Sequence, residues 1–256
     1  MVFVSSTSAI DTEYYAKYSD SLINSRSNYS GVPETDDLEG ARSSLKTGYG
    51  QSKWVSEKLL FEAGRRGLRG HIIRPGYVVG DSQTAGGLIV LISKDHMLNI
   101  CIVTNTDDFL WRLVKGCIQL GLIPDINNTL NMVPVDHVAL SIALAAVSPL
   151  PDSSMFVLHI TAWPMPTFNG MLSSLIQYGY PTEQIEYLVW RRRLEQHVME
   201  VQDNALFPLL HFVLDDLPTS TKAPQLDDAN TRALLQQHSG GLASTVDDNL
   251  MGLYLA

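Results

Sequence analysis

A tyrosine and a lysine four residues apart are the side chains of this sequence best suited to chemistry. Tyr49 and Lys53 lie in the stretch Gly-Tyr-Gly-Gln-Ser-Lys-Trp, at the start of a segment with helical periodicity. Residues i and i+4 of a helix share one face, so we expect the phenol and the ammonium to point into the same space. A nearby cation favours the phenolate form of a tyrosine, whose reference pKa is about 10. The pair therefore suits proton transfer to or from a carbonyl oxygen near neutral pH.

A run of hydroxyl residues near the start of the chain is the second candidate element. Residues 2–4 have the character of a short strand, and Ser-Ser-Thr-Ser follows directly at residues 5–8. In a carbonyl-reducing site, a hydroxyl here would donate to the substrate oxygen while the tyrosine delivers the proton. The alternative is that these residues only cap a helix, because Ser and Thr are favoured at helix starts.

The elements that must position these residues follow from the apolar pattern. A helix is predicted over 49–66, with an apolar stripe of Val55, Leu59, Leu60 and Ala63. The strand after it breaks at Arg-Pro-Gly, residues 74–76, and loops at the carboxyl ends of strands are where α/β sheets bind ligands. Residues 11–47 read as a long surface loop with a helical piece near 14–22. The remaining predictions are a strand over 156–160 and helices over 106–122, 167–178, 182–201 and 227–237, with one more ending near 147.

Composition excludes several classes of protein. A net charge of -9 argues against a nucleic-acid surface. The two cysteines, Cys101 and Cys117, and the scattered histidines have no metal-ligand spacing, so we expect no metal. No signal peptide is recognised, and the longest apolar stretch, around 88–102, is too short and too charged to span a bilayer. These features predict a cytoplasmic protein with no membrane partner.

The motifs taken in order resemble those of a known superfamily. Ser5–Ser8, Tyr49 to Lys53, Ile73-Arg74-Pro75-Gly76 and Val135-Asp136-His137-Val138 resemble the extended short-chain dehydrogenase/reductases. Residues 47–58 are similar to the thioester reductase domains that end carrier-protein enzymes. Together with residues 104–109 and 131–136, they resemble the carboxyl-terminal domain of the fungal aminoadipate reductases, and the similarity runs through most of the chain.

The resemblance implies a fold and a division into domains. The fold would be α/β, a Rossmann-like doubly wound parallel sheet with a small, mostly helical carboxyl-terminal region. Residues 1–160 would be a partial NADP-binding domain that carries the late strands of the sheet and the Tyr/Lys pair. Residues 161–256 would form the substrate-binding region.

The resemblance also implies roles for individual residues. Tyr49 would be the proton donor, and Lys53 would hold the nicotinamide ribose and favour the phenolate. Ser6 is the first choice for the hydroxyl beside the carbonyl, with Thr7 the second. The cofactor-binding set would comprise Tyr49, Lys53, Arg74, Pro75, Gly76, Tyr77 and Val78.

The implied reaction is reduction of an acyl thioester by NADPH. The acyl group would be carried on the phosphopantetheine arm of a carrier domain, with an aminoadipyl thioester going to the semialdehyde of lysine biosynthesis. Two alternatives stay open. One is a sugar-nucleotide epimerase or dehydratase of the same superfamily that uses NAD, and the other is a truncated, non-catalytic remnant of the reductase.

Two departures from the family pattern lead to further expectations. The sequence contains no Gly-x-x-Gly-x-x-Gly turn for the cofactor pyrophosphate, which predicts that the first half of the Rossmann unit is missing. The exposed sheet edge would then give poor solubility and weak NADPH affinity. The apolar stretch 86–102 is an insertion relative to the family, either a translated intron or a lineage-specific loop strand.

Overall fold

A computed structural model gives the structure of the protein over most of its length. It describes residues 1–25, 30–45, 47–83, 108–149, 155–200, 204–236 and 244–255. The apolar insertion at 86–102 lies outside the described residues, and so do residues 104–107 of the family motif. No statement about either follows from the structure.

Strands and helices alternate along the described chain. The strands are β1 (Val2–Val4), β2 (Gly70–Pro75), β3 (Tyr77–Val79), β4 (Leu122–Pro124), β5 (Met132–Pro134), β6 (Met155–Ile160) and β7 (Glu183–Ile185). The α-helices are α1 (Glu13–Asn24), α2 (Gly48–Arg65), α3 (Phe109–Leu120), α4 (Val135–Val147), α5 (Phe168–Gln177), α6 (Tyr187–Glu200), α7 (Leu210–Ser220), α8 (Ala229–Gln236) and α9 (Asp248–Leu255).

The main sheet is parallel and has the strand order β1-β2-β6. Val4 pairs with Ile73, Ile73 with Leu158, and Arg74 with His159. Parallel neighbours need crossover connections, and the chain passes through α1 and α2 between the first two strands. The predicted α/β fold with a parallel sheet is confirmed.

The two faces of this sheet bury different sets of side chains. Ile73 and Leu158 point to one face, where they pack with Val133, Val138 and Ala145. Ile72 and Val157 point to the other face, against which Leu60 and Phe61 of α2 are packed. Side chains alternate along a strand, so Arg74 and His159 lie on the α2 face, two residues beyond Ile72 and Val157.

Helix α2 is confirmed, but only part of its predicted apolar stripe faces the sheet: Leu60 packs there, whereas two other members of the stripe are exposed. Val55 is 49% exposed and Leu59 is 66% exposed. The residues that α2 buries are Gly50, Glu57 and Gly64. A buried carboxylate in the sheet-facing row is the physical reason for the difference, because hydrophobic periodicity counts Glu57 as a surface residue.

The chain forms two compact units, each built from separate segments. The first unit contains residues 1–78, 131–165 and 222–245, and it holds the main sheet with α1, α2, α4 and α8. The second contains residues 79–130, 166–221 and 246–256, including the parallel pair of β4 and β7. This division differs from the predicted boundary at residue 160, since 79–130 belongs to the second unit and 222–245 to the first.

Several elements of the second unit differ from the sequence-based prediction. The helix predicted over 182–201 is instead a strand, Glu183–Ile185, followed by α6, Tyr187–Glu200. The strand forms because its backbone pairs with β4, with Leu122 opposite Glu183 and Pro124 opposite Ile185. Helices α7 and α9 were not predicted. No helix in the described part of the chain is both long and apolar enough to cross a membrane.

Candidate active site

The carboxyl end of β1 carries the hydroxyl residues into a tight turn. Thr7–Ala9 forms one turn of 3-10 helix, and Ser6 caps it by accepting a hydrogen bond from the Ser8 backbone N–H, 3.1 Å away. The Ser6 hydroxyl donates to the Ser8 Oγ at 3.1 Å. Ser6 therefore plays the capping role that was the alternative interpretation. Its hydroxyl proton is held only by another rotatable hydroxyl, so it can turn to a ligand.

Tyr49 and Lys53 lie in the first two turns of α2. Thr47 caps the helix by accepting from the Gly50 N–H at 3.1 Å. The Tyr49 side chain is 57% exposed, and no described residue binds its hydroxyl. The Lys53 ammonium lies 5.6 Å from the centroid of the Tyr49 ring. The predicted common face of the phenol and the ammonium is therefore present.

Lys53 also connects α2 to the end of β1. Its ammonium donates to the Val4 carbonyl at 3.0 Å and lies 5.4 Å from the centre of the Phe3 ring. One of three N–H groups is used in this bond, and the rest suit the hydroxyl groups of a ligand such as a ribose. The contact brings the start of α2 and the hydroxyl turn to the same end of the sheet.

Gly50 permits this approach. A Cβ placed on Gly50 would lie 2.6 Å from the Ser8 carbonyl oxygen, closer than real Cβ contacts occur. The first turn of α2 therefore rests directly on the turn that carries Ser6 and Thr7. Its neighbour Gly48 has open space around the same position.

The five residues at 74–78 that are predicted to line the cofactor differ in how far their side chains are exposed. The Arg74 side chain is fully buried, and Pro75 is buried as the last residue of β2. Gly76 lies against Asn131, with an added Cβ 2.4 Å from the Asn131 carbonyl oxygen. Of these five residues, Tyr77 and Val78 have side chains that are exposed to a ligand. The cofactor role of all five stays a prediction.

Arg74 belongs to a buried polar cluster on the α2 face of the sheet. Its Nη2 donates to the Glu57 Oε2 at 2.7 Å, and its Nε contacts both carboxylate oxygens at 3.0 and 3.1 Å. The Ser5 hydroxyl donates to the same carboxylate. On the other side, the Arg74 Nη1 lies 2.9 Å from the His159 Nε2. The exposed fractions of Glu57, Arg74 and His159 are all 0%.

The neighbours of His159 determine its protonation. Arginine can only donate, so Nε2 must accept, and Nδ1 then carries the proton and donates to the Asp227 carbonyl at 2.8 Å. Burial, together with the charge of Arg74, lowers the pKa of His159 to about 3. The imidazole is therefore neutral at physiological pH, with its tautomer set by the protein.

A second buried acid, Glu34, lies behind His159. Its carboxylate accepts from the backbone N–H groups of His159 and Asn230, at 2.8 and 2.7 Å, and from the Thr231 hydroxyl at 3.2 Å. Burial raises its pKa to about 7 despite these donors. Glu34 ties the loop before α2 to β6 and to the start of α8.

Sequence reasoning did not find Glu57, His159 or Glu34 as site-linked residues, and it named Ser5 only as part of the hydroxyl run. The available signal was the spacing of Glu57, which lies four residues after Lys53 and eight after Tyr49 and so continues their row. No sequence signal pointed to His159, because it lies within a strand of otherwise apolar residues. Among the described residues, no group of three or more His, Cys, Asp or Glu side chains could hold a metal ion.

The fold defines the class of protein. It is an α/β protein with a parallel sheet, and such sheets bind their ligands at the carboxyl ends of the strands, where the Tyr/Lys pair and the hydroxyl turn lie. Residues 1–142 match the NAD-binding family described as male sterility protein, and the chain belongs to that family.

Similar proteins narrow this class. The chain is 47% identical to the L-2-aminoadipate reductase of Schizosaccharomyces pombe over 261 residues, which covers 99% of this chain and 17% of that protein. Among solved structures, it resembles the terminal R domain from the myxalamid PKS-NRPS biosynthetic pathway, with a TM-score of 0.74 and 28% identity over 99% of this chain and 56% of the other. A thiolation-reductase di-domain from an archaeal non-ribosomal peptide synthetase shares the fold, with a TM-score of 0.69 and 16% identity over 99% of this chain and 47% of the other. The chain thus spans about a sixth of the curated relative it matches.

Proposed function

We propose that this chain takes part in the NADPH-dependent reduction of an acyl thioester, carried on the phosphopantetheine arm of a carrier domain, to an aldehyde. The favoured acyl group is aminoadipyl, with aminoadipate semialdehyde as the product in lysine biosynthesis, in the cytoplasm. The single observation that carries the proposal is the Lys53 ammonium, which lies beside the Tyr49 ring and donates to Val4 at the end of β1. This contact places the proton donor Tyr49 and the cation Lys53 beside the hydroxyl turn.

The reaction makes negative charge on the carbonyl oxygen of the substrate, and two groups of this chain would meet it. Tyr49 donates its phenolic proton to that oxygen, and its exposed ring leaves the hydroxyl accessible. The Ser6 hydroxyl, or that of Thr7 as second choice, donates a hydrogen bond to the same oxygen. Lys53 stabilises the phenolate that remains, because its positive charge is close to the ring.

The residues fit a nicotinamide nucleotide at this end of the sheet. Lys53 has N–H groups for ribose hydroxyls, and Tyr77 and Val78 present exposed surface in β3, just after the end of β2. When bound, NADPH would supply a hydride to the thioester carbonyl carbon. As the C–S bond then breaks, the oxygen gives up the proton it received from Tyr49 and the departing sulfur takes a proton, which leaves an aldehyde and a free thiol. Gly76, with Arg74 and Pro75 through their backbone, completes the proposed set on that side.

The domain composition of similar structures supports a carrier domain as the partner. The archaeal structure joins a thiolation domain to a reductase domain, and the myxalamid structure is that of a terminal R domain from a PKS-NRPS pathway. A substrate on a flexible arm must reach an open site, and the exposure of Tyr49 agrees with that requirement.

The test is a reduction assay with the purified protein. Aminoadipyl thioester on a phosphopantetheine carrier is supplied with NADPH, with NADH in a parallel reaction, and aldehyde formation is measured. We expect aldehyde and free thiol in equal amounts, with NADPH preferred over NADH. A nucleotide sugar supplied with NAD serves as the competing substrate. Conversion of the sugar without any reduction of the thioester would replace this proposal with the epimerase alternative.

A further inference from the structure

The buried cluster around Arg74 lies directly behind the Tyr/Lys pair and is not used by the proposed chemistry. Arg74 and His159 are paired across β2 and β6, and Ser5, the residue directly after β1, donates its backbone N–H to the Ile73 carbonyl at 2.7 Å. These three residues form one row at this end of the sheet. Glu57 reaches this row from α2 and bonds to two of its three members. One carboxylate thus connects the helix to the strand that leads into the hydroxyl turn.

The residue that connects α2 to the end of β1, Glu57, lies in the same row of the helix as the Tyr/Lys pair. Tyr49, Lys53 and Glu57 follow one another at intervals of four residues and so form one row on the helix. Lys53 contacts the carbonyl of Val4, and Glu57 contacts the hydroxyl of Ser5. The row therefore meets the last residue of β1 and the residue after it, immediately before Ser6. A shift of α2 along its axis would change the position of the phenol and of the hydroxyl turn relative to each other.

The Glu57–Arg74 pair is built to resist such a shift. The guanidinium holds the carboxylate through Nε and Nη2 together, a two-pronged geometry that fixes direction as well as distance. Its third contact, to the neutral His159, anchors the guanidinium to β6. His159 is in turn held by the Asp227 carbonyl. Arg74 and His159 each have a polar partner on two sides.

From these contacts, and resting on the proposed function, we infer that Glu57 and Arg74 are positioning residues that set the distance between Tyr49 on α2 and the Ser6 hydroxyl at the end of β1. They do not touch the substrate. Their effect on the reaction passes through Lys53, which precedes Glu57 by one turn of α2, and through Ser5, which precedes Ser6.

A purely structural ion pair would behave differently, and a double variant separates the two roles. Replacing a buried pair by apolar or neutral groups of similar size is often tolerated, whereas removal of one partner leaves a buried charge alone. We expect Glu57→Gln and Arg74→Met each to lower Tm, and the combination to recover much of the loss. The combined variant should still have a kcat reduced on the order of tenfold to a hundredfold, with a smaller change in KM, since misplaced reacting groups lower the rate of the chemical step.

The control is Glu62→Gln, which removes an exposed carboxylate from the same helix, where it pairs with Arg65 and Arg66. It should leave Tm and kcat close to the wild-type values. Arg74→Lys provides a second variant in case the double variant does not fold. It keeps the charge but loses the two-pronged contact, and it should lower kcat in the same direction.

Crystal structures of the wild type and of the variants give a readout that needs no activity. We expect the bond between the Lys53 ammonium and the Val4 carbonyl, 3.0 Å in the wild type, to be lost in the variants. A folded variant that keeps this bond and the wild-type kcat would overturn the inference. If the wild type itself reduces no thioester, the proposed function fails, and the Lys53–Val4 distance in the variants still decides whether the pair positions α2.

Discussion

The Cα of Gly50 lies so close to the carbonyl oxygen of Ser8 that a Cβ on Gly50 would be 2.6 Å from it. This approach sets the helix that carries Tyr49 directly on the turn that carries Ser6. It also makes a specific demand on the sequence, because the oxygen belongs to the backbone and cannot rotate away.

Replacing Gly50 by alanine should therefore destabilise the protein. An alanine in a helix is normally about 1 kcal/mol better than glycine, but here the added methyl group must push the two elements apart. We expect a loss on the order of 1–3 kcal/mol in the free energy of unfolding, measured by urea denaturation. Gly48→Ala is the matched control, because its Cβ would meet nothing within 4 Å. Equal stability of the two variants would show that the approach is looser than described.

Glu34 predicts a distinct pH dependence of stability. Burial raises its pKa to about 7 in the folded protein, from the ordinary value of 4.5. The folded state therefore binds a proton more tightly, and the contribution to stability is complete below pH 4.5 and is lost as the pH rises through 7. The size of the effect is up to about 3 kcal/mol.

Glu34→Gln isolates this contribution, because glutamine does not titrate. The difference in unfolding free energy between the variant and the wild type should change across this pH window and be constant above it. The contribution of His159, which is common to both proteins, cancels. A difference that does not change with pH would contradict the raised pKa of Glu34.

His159 should remain neutral in mildly acidic solution. Its pKa is lowered to about 3 by burial and by Arg74, so its contribution to stability is present above the ordinary value of 6.5 and is lost as the pH falls toward 3. Long-range proton–nitrogen NMR spectra at pH 5 should show one imidazole with its proton on Nδ1, and His159→Gln should remove that signal. A doubly protonated ring at this position would contradict the hydrogen-bond assignment to Arg74 and Asp227.

Lys53 tests the contact between α2 and β1. Lys53→Met keeps much of the side-chain length but removes the charge and the bond to Val4. We expect turnover to fall by about 10²-fold, since an electrostatic stabiliser of the reacting group is lost. Lys58→Met is the control. Lys58 lies in the same helix and bonds to Glu39 and to the Asp37 carbonyl, away from β1. A comparable loss in both variants would mean that Lys53 acts only through the stability of the helix.

The sequence was informative where local pattern and motif agreed. The Tyr49–Lys53 spacing predicted a shared helical face, and the run at residues 2–8 predicted a strand that leads into hydroxyl residues. Both are present because i, i+4 geometry and the preference of serine for capping positions are local properties. The role of Ser6 as a cap was also foreseen as the alternative.

Long-range polar contacts could not be predicted in the same way. Glu57 looked like a surface residue, and Val55 and Leu59 looked like core, because periodicity assigns burial by hydrophobicity alone. The burial of Glu57 depends on Arg74, 17 residues later, and on His159, 85 residues beyond that. Strand β7 was missed for a similar reason, since its three residues pair with a strand 61 residues earlier, Glu183 opposite Leu122.

The most direct measurement is the rate of aldehyde formation from an aminoadipyl thioester by Tyr49→Phe, compared with the wild type and with Tyr14→Phe. Tyr14 is an exposed tyrosine in α1, outside the site, and its variant controls for loss of a phenolic hydroxyl. We predict that Tyr49→Phe lowers kcat by about 10²- to 10⁴-fold with the fold intact, while Tyr14→Phe stays near the wild-type rate. A Tyr49→Phe protein that reduces the thioester at the wild-type rate would contradict the role of Tyr49 as the proton donor.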